Sequence, residues 1–323
     1  MMRGIWREIL FSFFMGFIVP ALLLSFAVLL LEKDAETADP EPVLATTAPI
    51  AEKCWICVRH DNENKQQMGL EDYLIGVVLA EMPGSFDQEA LKAQAVVART
   101  YTVKAVSLGG KHADGSICTT ASCCQAYISQ QDYIGRGGTT EVVDKIRIAV
   151  RATASQVLTY QGELIEATYF SCSGGKTEDA VAVWGTDYPY LRSVESPGEE
   201  SAPPYTDTMI FTPEEFQNKL DITLPADPMT WFGSVTYTSG GGVADMEIGD
   251  RIYTGTELRA MLGLRSTAFS VAAEEGAIRI TTKGYGHRVG MSQYGAEAMA
   301  VSGSSYAQIL LWYYPGTEIT VWF

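Results

Sequence analysis

The amino-acid sequence predicts an α+β fold, with a helical region containing mixed β-strands, a smaller β-rich subdomain and one N-terminal transmembrane helix. Three observations predict it: an uncharged apolar run near the N-terminus, apolar residues at helical spacing from Leu70 onward, and β-rich segments separated by turn residues later in the chain. With 47% hydrophobic residues in 323 positions, the chain has enough apolar material for a packed core.

The first element is the apolar run from Ile9 to Leu31, which meets the roughly 20 residues that a helix needs to cross a bilayer. Arg3 and Arg7 precede the run and acidic residues follow it, so the positive-inside rule places the N-terminus in the cytoplasm. A cleaved signal peptide is the alternative, although its apolar region spans about 7 to 15 residues and ends at a small-residue site that is missing here.

We therefore expect an uncleaved membrane anchor with an exported C-terminal domain. The stretch after the anchor is rich in Ala, Thr, Pro and acids, a composition typical of a tether. The predicted organisation is a cytoplasmic tail at 1–8, a transmembrane anchor at 9–31, an extracytoplasmic linker at 32–50 and a folded catalytic domain at 51–323.

The first folded helix begins near Leu70 and ends at Met82, because Pro83 disfavours α-helical geometry in the residue before it. A second helix starts after Ser85, with Gln88 completing a capping-box-like pair, and continues toward Val106. Its small residues allow close helix packing. The polar stretch from 111 to 124 has no periodicity and is predicted to be a loop, and 144–154 is predicted to be a third helix.

Beyond the third helix the pattern favours strands. Val157–Tyr160 and Leu164–Phe170 predict a hairpin that turns at Gln161-Gly162. Helical segments at 211–220 and 256–262 alternate with β-rich segments at 235–237 and 278–282. This alternation suggests a β-rich subdomain within 205–282.

The charge balance argues against one class of partner. Lys and Arg number 23 against 39 for Asp and Glu, which gives a net charge of -16. Such a surface repels phosphate backbones, so nucleic acid is not an expected partner.

Glu81 is the first candidate for chemistry, because it lies three residues after Val78 and four after Val77 on the apolar stripe of its helix. A carboxyl group on such a stripe loses solvation, which raises its pKa toward the range of a general acid. The alternative is a partly exposed glutamate at a helix C-terminus, which is the more common situation.

The loop at 111–124 contains the inventory of a closed tetrahedral zinc site, namely His112, Cys118, Cys123 and Cys124. Zinc would fix the shape of an otherwise irregular segment. A disulfide from Cys118 to Cys123 or Cys124 is the rival outside the cell. With four protein ligands the zinc would be structural, since no position remains for a reacting water.

Four runs of residues resemble the stage II sporulation protein D family and occur in the family's order over most of the chain after the anchor. They are Ala80-Glu81-Met82-Pro83, the run from Ala90 to Tyr101, Ser173-Gly174-Gly175-Lys176-Thr177 with Val183-Trp184-Gly185, and the run from Gly290 to Ala296. The segment from Tyr253 to Ser266 adds to the resemblance.

The resemblance implies a lytic transglycosylase that acts on peptidoglycan strands stripped of stem peptides during engulfment of the forespore. Glu81 matches the family's catalytic glutamate, and one carboxyl group suffices for this reaction, unlike the usual glycosidase pair. The family includes members with a metal-binding His/Cys loop after the catalytic helices, so the resemblance favours zinc over a disulfide at His112, Cys118, Cys123 and Cys124. The resemblance also implies a location at the engulfing membrane, in a complex with a cell-wall amidase and another membrane protein.

Further site residues follow from the resemblance and from side-chain chemistry. Arg99 has a planar charge that suits the lactyl carboxylate of denuded muramic acid, with a structural salt bridge as the alternative. Tyr188 and Tyr190 could stack on sugar rings or simply pack. Gln293 could hydrogen-bond a sugar, and His287 begins the last motif. The family pattern has glycine after this histidine, whereas this chain has Arg288, which puts the role of His287 in doubt.

Two other functions compete with the transglycosylase. Related domains occur in enhancers of wall amidases, so the chain could bind glycan without cleaving it and recruit an amidase. The His/Cys cluster could also be the catalytic zinc site of an amidase, although its many thiolates argue against that. Cys54 and Cys57 favour a local disulfide or free thiols, and Cys172 is assigned no role.

Overall fold

The computed structural model describes residues 54–60, 64–107 and 111–323. The predicted anchor at 9–31 and linker at 32–50 lie outside these residues. Within the described part of the chain, no helix combines the length and apolarity needed to cross a membrane.

The described residues form a mixed α+β structure. Its α-helices are α1 (Leu70–Glu81), α2 (Gln88–Ser107), α3 (Gln130–Gly135), α4 (Thr140–Ala152), α5 (Ala180–Trp184), α6 (Pro213–Leu220), α7 (Gly255–Leu262), α8 (Gln293–Val301) and α9 (Tyr306–Tyr313), and a 3₁₀ turn covers Pro228–Thr230.

The strands are short and form several small sheets. They are β1 (Trp55–Arg59), β2 (Lys65–Gly69), β3 (Ile117–Cys118), β4 (Gln156–Tyr160), β5 (Glu163–Leu164), β6 (Tyr169–Phe170), β7 (Thr206–Phe211), β8 (Phe232–Tyr237), β9 (Val243–Ile248), β10 (Arg251–Thr254), β11 (Phe269–Glu274), β12 (Ala277–Lys283), β13 (Met291–Ser292) and β14 (Glu318–Val321). Their orders are β2-β1-β3, β14-β4-β5, β13-β6, β10-β9-β8 and β11-β12-β7.

Helix α2 is the centre of the larger hydrophobic core. It packs against α1, α4, α8, α9 and strand β4. This close approach on several sides is possible because many buried residues of α2 have only a small methyl side chain. They include Ala90, Ala93, Ala95 and Ala98, which are fully buried. The prediction of close packing from small residues agrees with this arrangement.

The predicted start of α2 was wrong in one detail. The helix begins at Gln88, and the Asp87 carboxylate accepts a hydrogen bond of 2.8 Å from the Glu89 amide. Ser85 is not the capping residue, and the Gln88 side chain donates to the Lys145 carbonyl instead. The end of α1 agrees with the prediction, since Met82 is extended at φ -123° before Pro83.

The predicted hairpin is only partly formed. Strand β4 pairs antiparallel with β5 around Gln161 and Gly162, which both have positive φ as a type I′ turn requires. Tyr169–Phe170 does not continue that hairpin and instead pairs in parallel with β13. Helix α3 and the first turn of α4, which begins at Thr140 rather than 144, were not predicted.

A second hydrophobic core is formed by residues between 209 and 280. Phe216, Trp231, Leu258, Ile278 and Ile280 are buried in it, and the Phe216 and Trp231 rings are stacked at 5.9 Å. Helices α6 and α7 each begin with a full capping box, Thr212 with Glu215 and Thr254 with Glu257. These two local signals explain why helices form between the strands of this region.

Candidate functional site

Glu81 is the last residue of α1 and lies where distant segments of the chain meet. Its Oε1 accepts a hydrogen bond of 2.9 Å from the Ala126 amide, and its Oε2 lies 3.5 Å from the Gln293 Nε2 at the start of α8. The Tyr169 hydroxyl also lies against this carboxylate and bonds it, and its oxygen is 3.2 Å from the Gln125 Oε1. Three separate segments therefore surround one carboxyl group.

Two glycines allow these segments to approach. A Cβ at Gly76 would lie 2.3 Å from the Tyr127 ring, so only glycine lets residues 126–128 lie against α1. Gly290 has φ +82°, and a Cβ there would lie 2.1 Å from the Thr168 carbonyl oxygen. These close approaches bring Ala126 and the β6–β13 pair to Glu81.

The pKa of Glu81 is raised above its ordinary value because burial disfavours the charged form. The hydrogen bonds from Ala126, Tyr169 and Gln293 act in the opposite direction and stabilise the carboxylate. Both the protonated and the ionised forms are thus supported at this position, which is what a residue that gives and then takes a proton needs.

His287 lies beside Phe170, the neighbour of Tyr169 in β6. Its ring is 5.6 Å from Phe170 and 5.2 Å from the exposed Trp184. Burial and the nearby charge of Arg259 lower the pKa of His287 to about 4, so the imidazole is neutral at pH 7. Its Nδ1 accepts a hydrogen bond of 3.1 Å from the Val289 amide.

Arg288 explains the departure from glycine in the last motif. It adopts the left-handed conformation at φ 65°, which glycine reaches without strain. Its buried guanidinium bonds the Glu178 carboxylate at 3.0 Å and the carbonyls of Ser173, Lys176 and Gly240 at 2.7 to 2.8 Å. The local turn is therefore kept with an arginine in place of glycine.

His112, Cys118, Cys123 and Cys124 lie together, with one ligand atom of each within 4.8 Å of all the others. Tetrahedral zinc with Zn–S bonds of about 2.3 Å places two sulfurs about 3.8 Å apart, so the four residues fit such an ion. All six cysteines are free thiols in the structure, including Cys54, Cys57 and Cys172.

The thiols of this cluster differ in acidity. Burial raises the pKa of Cys118, but hydrogen bonds from the Thr120 amide, His112 and the neighbouring thiols lower it to about 6. Burial raises the pKa of Cys124. The Cys118 thiol is therefore favoured to ionise to a thiolate, the form that binds a metal. The fourth candidate ligand, His112, is contacted by Arg59, whose guanidinium lies 2.7 Å from the His112 Nδ1.

The cluster is directly continuous with the surroundings of Glu81. Gln125 and Ala126 follow Cys124 in the chain, and Gln125 bridges the Thr102 hydroxyl at 2.9 Å and the Tyr169 hydroxyl. The loop that carries the cysteines thus also carries the amide that bonds Glu81.

Arg99 has a structural contact rather than an open binding position. It is fully buried, and its Nε and Nη2 bond the two Glu71 carboxylate oxygens at 2.8 and 2.6 Å. Other donors bond the Val150 and Gln156 carbonyls at 3.1 and 3.2 Å. The suggested contact with a substrate carboxylate does not agree with this burial, and the alternative salt bridge is observed.

The two tyrosines after Trp184 lie in the larger core. Tyr190 is buried, and its hydroxyl accepts a hydrogen bond of 3.1 Å from the Glu166 amide. Its ring contacts Tyr188 at 5.7 Å and Tyr160 at 5.4 Å. This environment agrees with the packing alternative, and neither tyrosine contacts Glu81 in the described structure.

Comparison with known proteins relates the chain that carries this site to one family. A family model described as "Stage II sporulation protein" matches residues 59–160. The chain is 40% identical over 293 residues to Stage II sporulation protein D of Bacillus subtilis, covering 89% of this chain and 82% of that protein. The chain belongs to the stage II sporulation protein D family.

Other relatives extend the comparison. Stage II sporulation protein D of Bacillus amyloliquefaciens is also 40% identical, over 88% of this chain and 83% of its own length. A Bacillus subtilis protein named Amidase enhancer is 31% identical over 76% of this chain and 40% of its own length. The family membership predicted from the motifs is therefore confirmed.

The sequence did not predict that Tyr169 and Ala126 contact Glu81, or that Gln125 contacts Tyr169 beside it. Tyr169 reads as an ordinary strand residue, and the other two follow the cysteines without any motif. Their positions depend on how β6 pairs with β13 and how the loop folds onto α1. No local sequence signal contains that information.

Proposed function

We propose that this chain is a peptidoglycan lytic transglycosylase that acts during sporulation and engulfment. It cleaves the bond between N-acetylmuramic acid and N-acetylglucosamine in glycan strands without stem peptides. The observation that carries the proposal is Glu81, a partly buried acid with a raised pKa and donors ready for its ionised form. Membership of the stage II sporulation protein D family supports it.

The proposed reaction uses Glu81 twice. Protonated Glu81 donates its proton to the glycosidic oxygen as the bond to the anomeric carbon breaks. The Glu81 carboxylate then takes the proton of the muramic acid C6 hydroxyl as O6 attacks the anomeric carbon. The products are a free 4-hydroxyl on one fragment and a 1,6-anhydromuramyl end on the other.

The neighbours of Glu81 support each half of this cycle. Burial favours the proton-carrying form before cleavage, and the Ala126 amide with the Tyr169 and Gln293 side chains supports the carboxylate after it. Hydrolytic glycosidases need a second carboxylate about 5 to 9.5 Å away. In the proposed reaction the nucleophile is the C6 hydroxyl of the muramic acid itself, so Glu81 needs no second carboxylate.

Zinc is proposed as a structural ion held by His112, Cys118, Cys123 and Cys124. Four protein ligands leave no position for a reacting water, which argues against a catalytic zinc amidase. Its contribution is to fix the loop that presents Ala126 to Glu81.

The test is to incubate the full-length protein with denuded glycan strands and to measure 1,6-anhydromuramyl ends by mass spectrometry. Glu81→Gln should lower the rate by about 10²- to 10⁴-fold, the usual contribution of a general acid. Glu297→Gln is the matched control, because Glu297 also has a pKa raised by burial and also accepts a backbone hydrogen bond, at 2.6 Å from Asp87. Full activity of Glu81→Gln would refute the proposal.

The second candidate is a non-catalytic protein that binds glycan and stimulates a cell-wall amidase, which the relative named Amidase enhancer favours. An assay of amidase activity with and without the Glu81→Gln protein separates the two functions. Stimulation without release of anhydro ends by the wild-type chain would favour the enhancer.

We also propose that the chain is a single-pass membrane protein whose C-terminal domain lies outside the cytoplasm at the engulfing membrane, with an amidase and a membrane protein as partners. The run from Ile9 to Leu31 and the flanking charges support this location. Protease added to intact protoplasts should digest the C-terminal domain. Full protection of that domain would contradict the assignment.

A further inference from the structure

A half-buried arginine without a carboxylate partner among the described residues lies near His287. Arg259 is in the last turn of α7, and its Nε donates to the Leu264 carbonyl at 3.4 Å. The Arg265 carbonyl, one residue further on, accepts a hydrogen bond of 3.0 Å from the Gly286 amide, so Arg259 lies against the segment that carries Tyr285 and His287. Burial lowers the pKa of Arg259. No ion pair of Arg259 with any described acid is present, although acidic residues outnumber basic ones 39 to 23 in the chain.

This isolation distinguishes Arg259 from the other arginines nearby. Arg288 is paired with Glu178 at 3.0 Å, and Arg265 is paired with Asp207 at 3.3 Å. A partly desolvated cation without a counter-ion is costly unless a ligand supplies the negative charge. The planar guanidinium matches a carboxylate through two parallel hydrogen bonds.

Exposed aromatic rings accompany Arg259. Trp184 is 43% exposed, and its ring lies 5.2 Å from His287. The nearby charge of Arg259 contributes to the lowered pKa of His287. Tyr285 is 49% exposed and lies under the Arg265 guanidinium at 5.6 Å. Such rings present flat apolar faces with polar edges, which suit the faces of sugar rings.

The cluster is continuous with the proposed catalytic acid. Glu81 contacts Tyr169, and Tyr169 and Phe170 form one short strand whose Phe170 ring lies 5.6 Å from His287. His287 contacts Trp184 at 5.2 Å, and the charge of Arg259 is near enough to lower its pKa. The neutral His287 adds no positive charge of its own, and the Arg265 guanidinium over Tyr285 is paired with Asp207, so Arg259 is the cation here without an acidic partner among the described residues. A bound glycan could therefore extend from Glu81 across Trp184 to Arg259.

We propose that Arg259, with Trp184 and Tyr285, forms a subsite that binds the free lactyl carboxylate of a muramic acid residue in the glycan strand. This inference rests on the proposed function and names the group that makes the site prefer strands without stem peptides. In a strand that carries peptides the lactyl group is an amide, which offers Arg259 no negative charge. Arg259 is thus a specificity-determining residue and takes no part in proton transfer.

The test measures binding in a background that cannot turn over substrate. Full-length Glu81→Gln protein is titrated with a tetrasaccharide of alternating N-acetylglucosamine and N-acetylmuramic acid, and with the same sugar after methyl esterification of its lactyl carboxylates. The free acid should bind at least about tenfold more tightly than the ester, the ratio expected for a charge-assisted hydrogen bond. Arg259→Gln should reduce that ratio to about one.

Matched variants separate this effect from loss of fold. Arg279→Gln removes an exposed arginine that is paired with Glu274 at 2.7 Å, and it should leave the ratio unchanged. Trp184→Ala should weaken the acid and the ester equally, because the ring contacts the sugar and not the carboxylate. Raising the ionic strength should shrink the ratio in the parent protein without any change at Arg259.

Clear outcomes overturn the subsite. A ratio near one in the Glu81→Gln parent, a ratio that survives Arg259→Gln, or a ratio insensitive to salt would each do so. Failure of the proposed function is separate: it shows as anhydromuramyl ends released equally well by Glu81→Gln and by the wild-type protein, whatever the binding ratio.

Discussion

At the scale of single residues, the environment of Glu81 balances two opposing effects on one pKa. Burial raises it, whereas the Ala126 amide, the Tyr169 hydroxyl and the Gln293 amide lower it. Because the general acid is active when protonated, activity should fall as the pH rises through the pKa of Glu81. A pKa above the ordinary value moves that fall toward neutral pH.

Tyr169→Phe tests this balance. It removes a hydrogen bond that stabilises the carboxylate, so the pKa of Glu81 should rise further and the fall in kcat/KM should move to higher pH. The measurement is the pH–rate profile on denuded glycan. Tyr306→Phe, which removes a tyrosine hydroxyl bonded to Gln156 at 3.0 Å, should leave the profile in place. A profile that shifts to lower pH in Tyr169→Phe would contradict the assignment.

Cys172 is a second residue whose surroundings explain its chemistry. Its thiol donates to the buried Glu199 carboxylate at 3.0 Å, and burial followed by the charge of Glu199 raises the pKa of the thiol. Ser173 donates to the same carboxylate through its amide and its hydroxyl. A small hydrogen-bond donor is therefore what this position requires, and the thiol is expected to be unreactive.

At the scale of elements, the loop from Lys111 to Ala126 connects the His/Cys cluster to Glu81. The loop has little regular structure apart from β3, so its shape depends on side-chain contacts. The Asp114 carboxylate bonds Lys65 at 2.7 Å, and the Cys123 and Cys124 amides donate to the Thr120 carbonyl. A bound ion would join four further atoms of the same loop.

Removal of the metal should therefore act on Glu81 through the loop. Purified protein is expected to contain one zinc per chain, and a strong chelator should increase amide hydrogen exchange at residues 117–126 and lower the activity. Exchange in the β11–β12 pair, which belongs to the second core, should not change and provides the internal control. Unchanged exchange at Ala126 after complete zinc removal would show that the ion does not position the loop.

At the scale of the whole folded unit, one buried ion pair lies between the two hydrophobic cores. Arg288 follows the strand region of the second core, and its guanidinium reaches Glu178 near the first core and the Gly240 carbonyl near the second. Thr238 and the Gly242 amide also donate to the Glu178 carboxylate, at 2.8 and 3.0 Å. These polar contacts connect regions that have separate apolar interiors.

Arg288→Gly measures the strength of this connection. The substitution relieves the left-handed backbone strain of about 1 to 2 kcal/mol but leaves the fully buried Glu178 without its cation. Loss of one partner of a buried pair costs about 3 to 5 kcal/mol, so net destabilisation is expected in urea unfolding. Combining it with Glu178→Gln should recover part of the loss in a double-mutant cycle. Equal stability of Arg288→Gly and the wild-type protein would contradict this role.

The sequence by itself determined the features that depend on neighbours in the chain. The end of α1 before Pro83, the turn at Gln161-Gly162, the helices of the second core and the family motifs all follow from short-range patterns. It also placed Glu81 on an apolar stripe and brought His112, Cys118, Cys123 and Cys124 together as one ligand set. These signals are local because backbone sterics and capping act within a few residues.

Only the tertiary structure decided which groups meet. Ala126 and Gln293 are 45 and 212 positions from Glu81, and β6 finds its partner β13 across more than a hundred residues. Tertiary packing also buried Arg99 against Glu71 and left Arg259 without an acidic partner among the described residues. Burial and ion pairing depend on three-dimensional neighbours, so local patterns alone could not show that Arg99 is paired inside the fold and that Arg259 is not paired with a described acid.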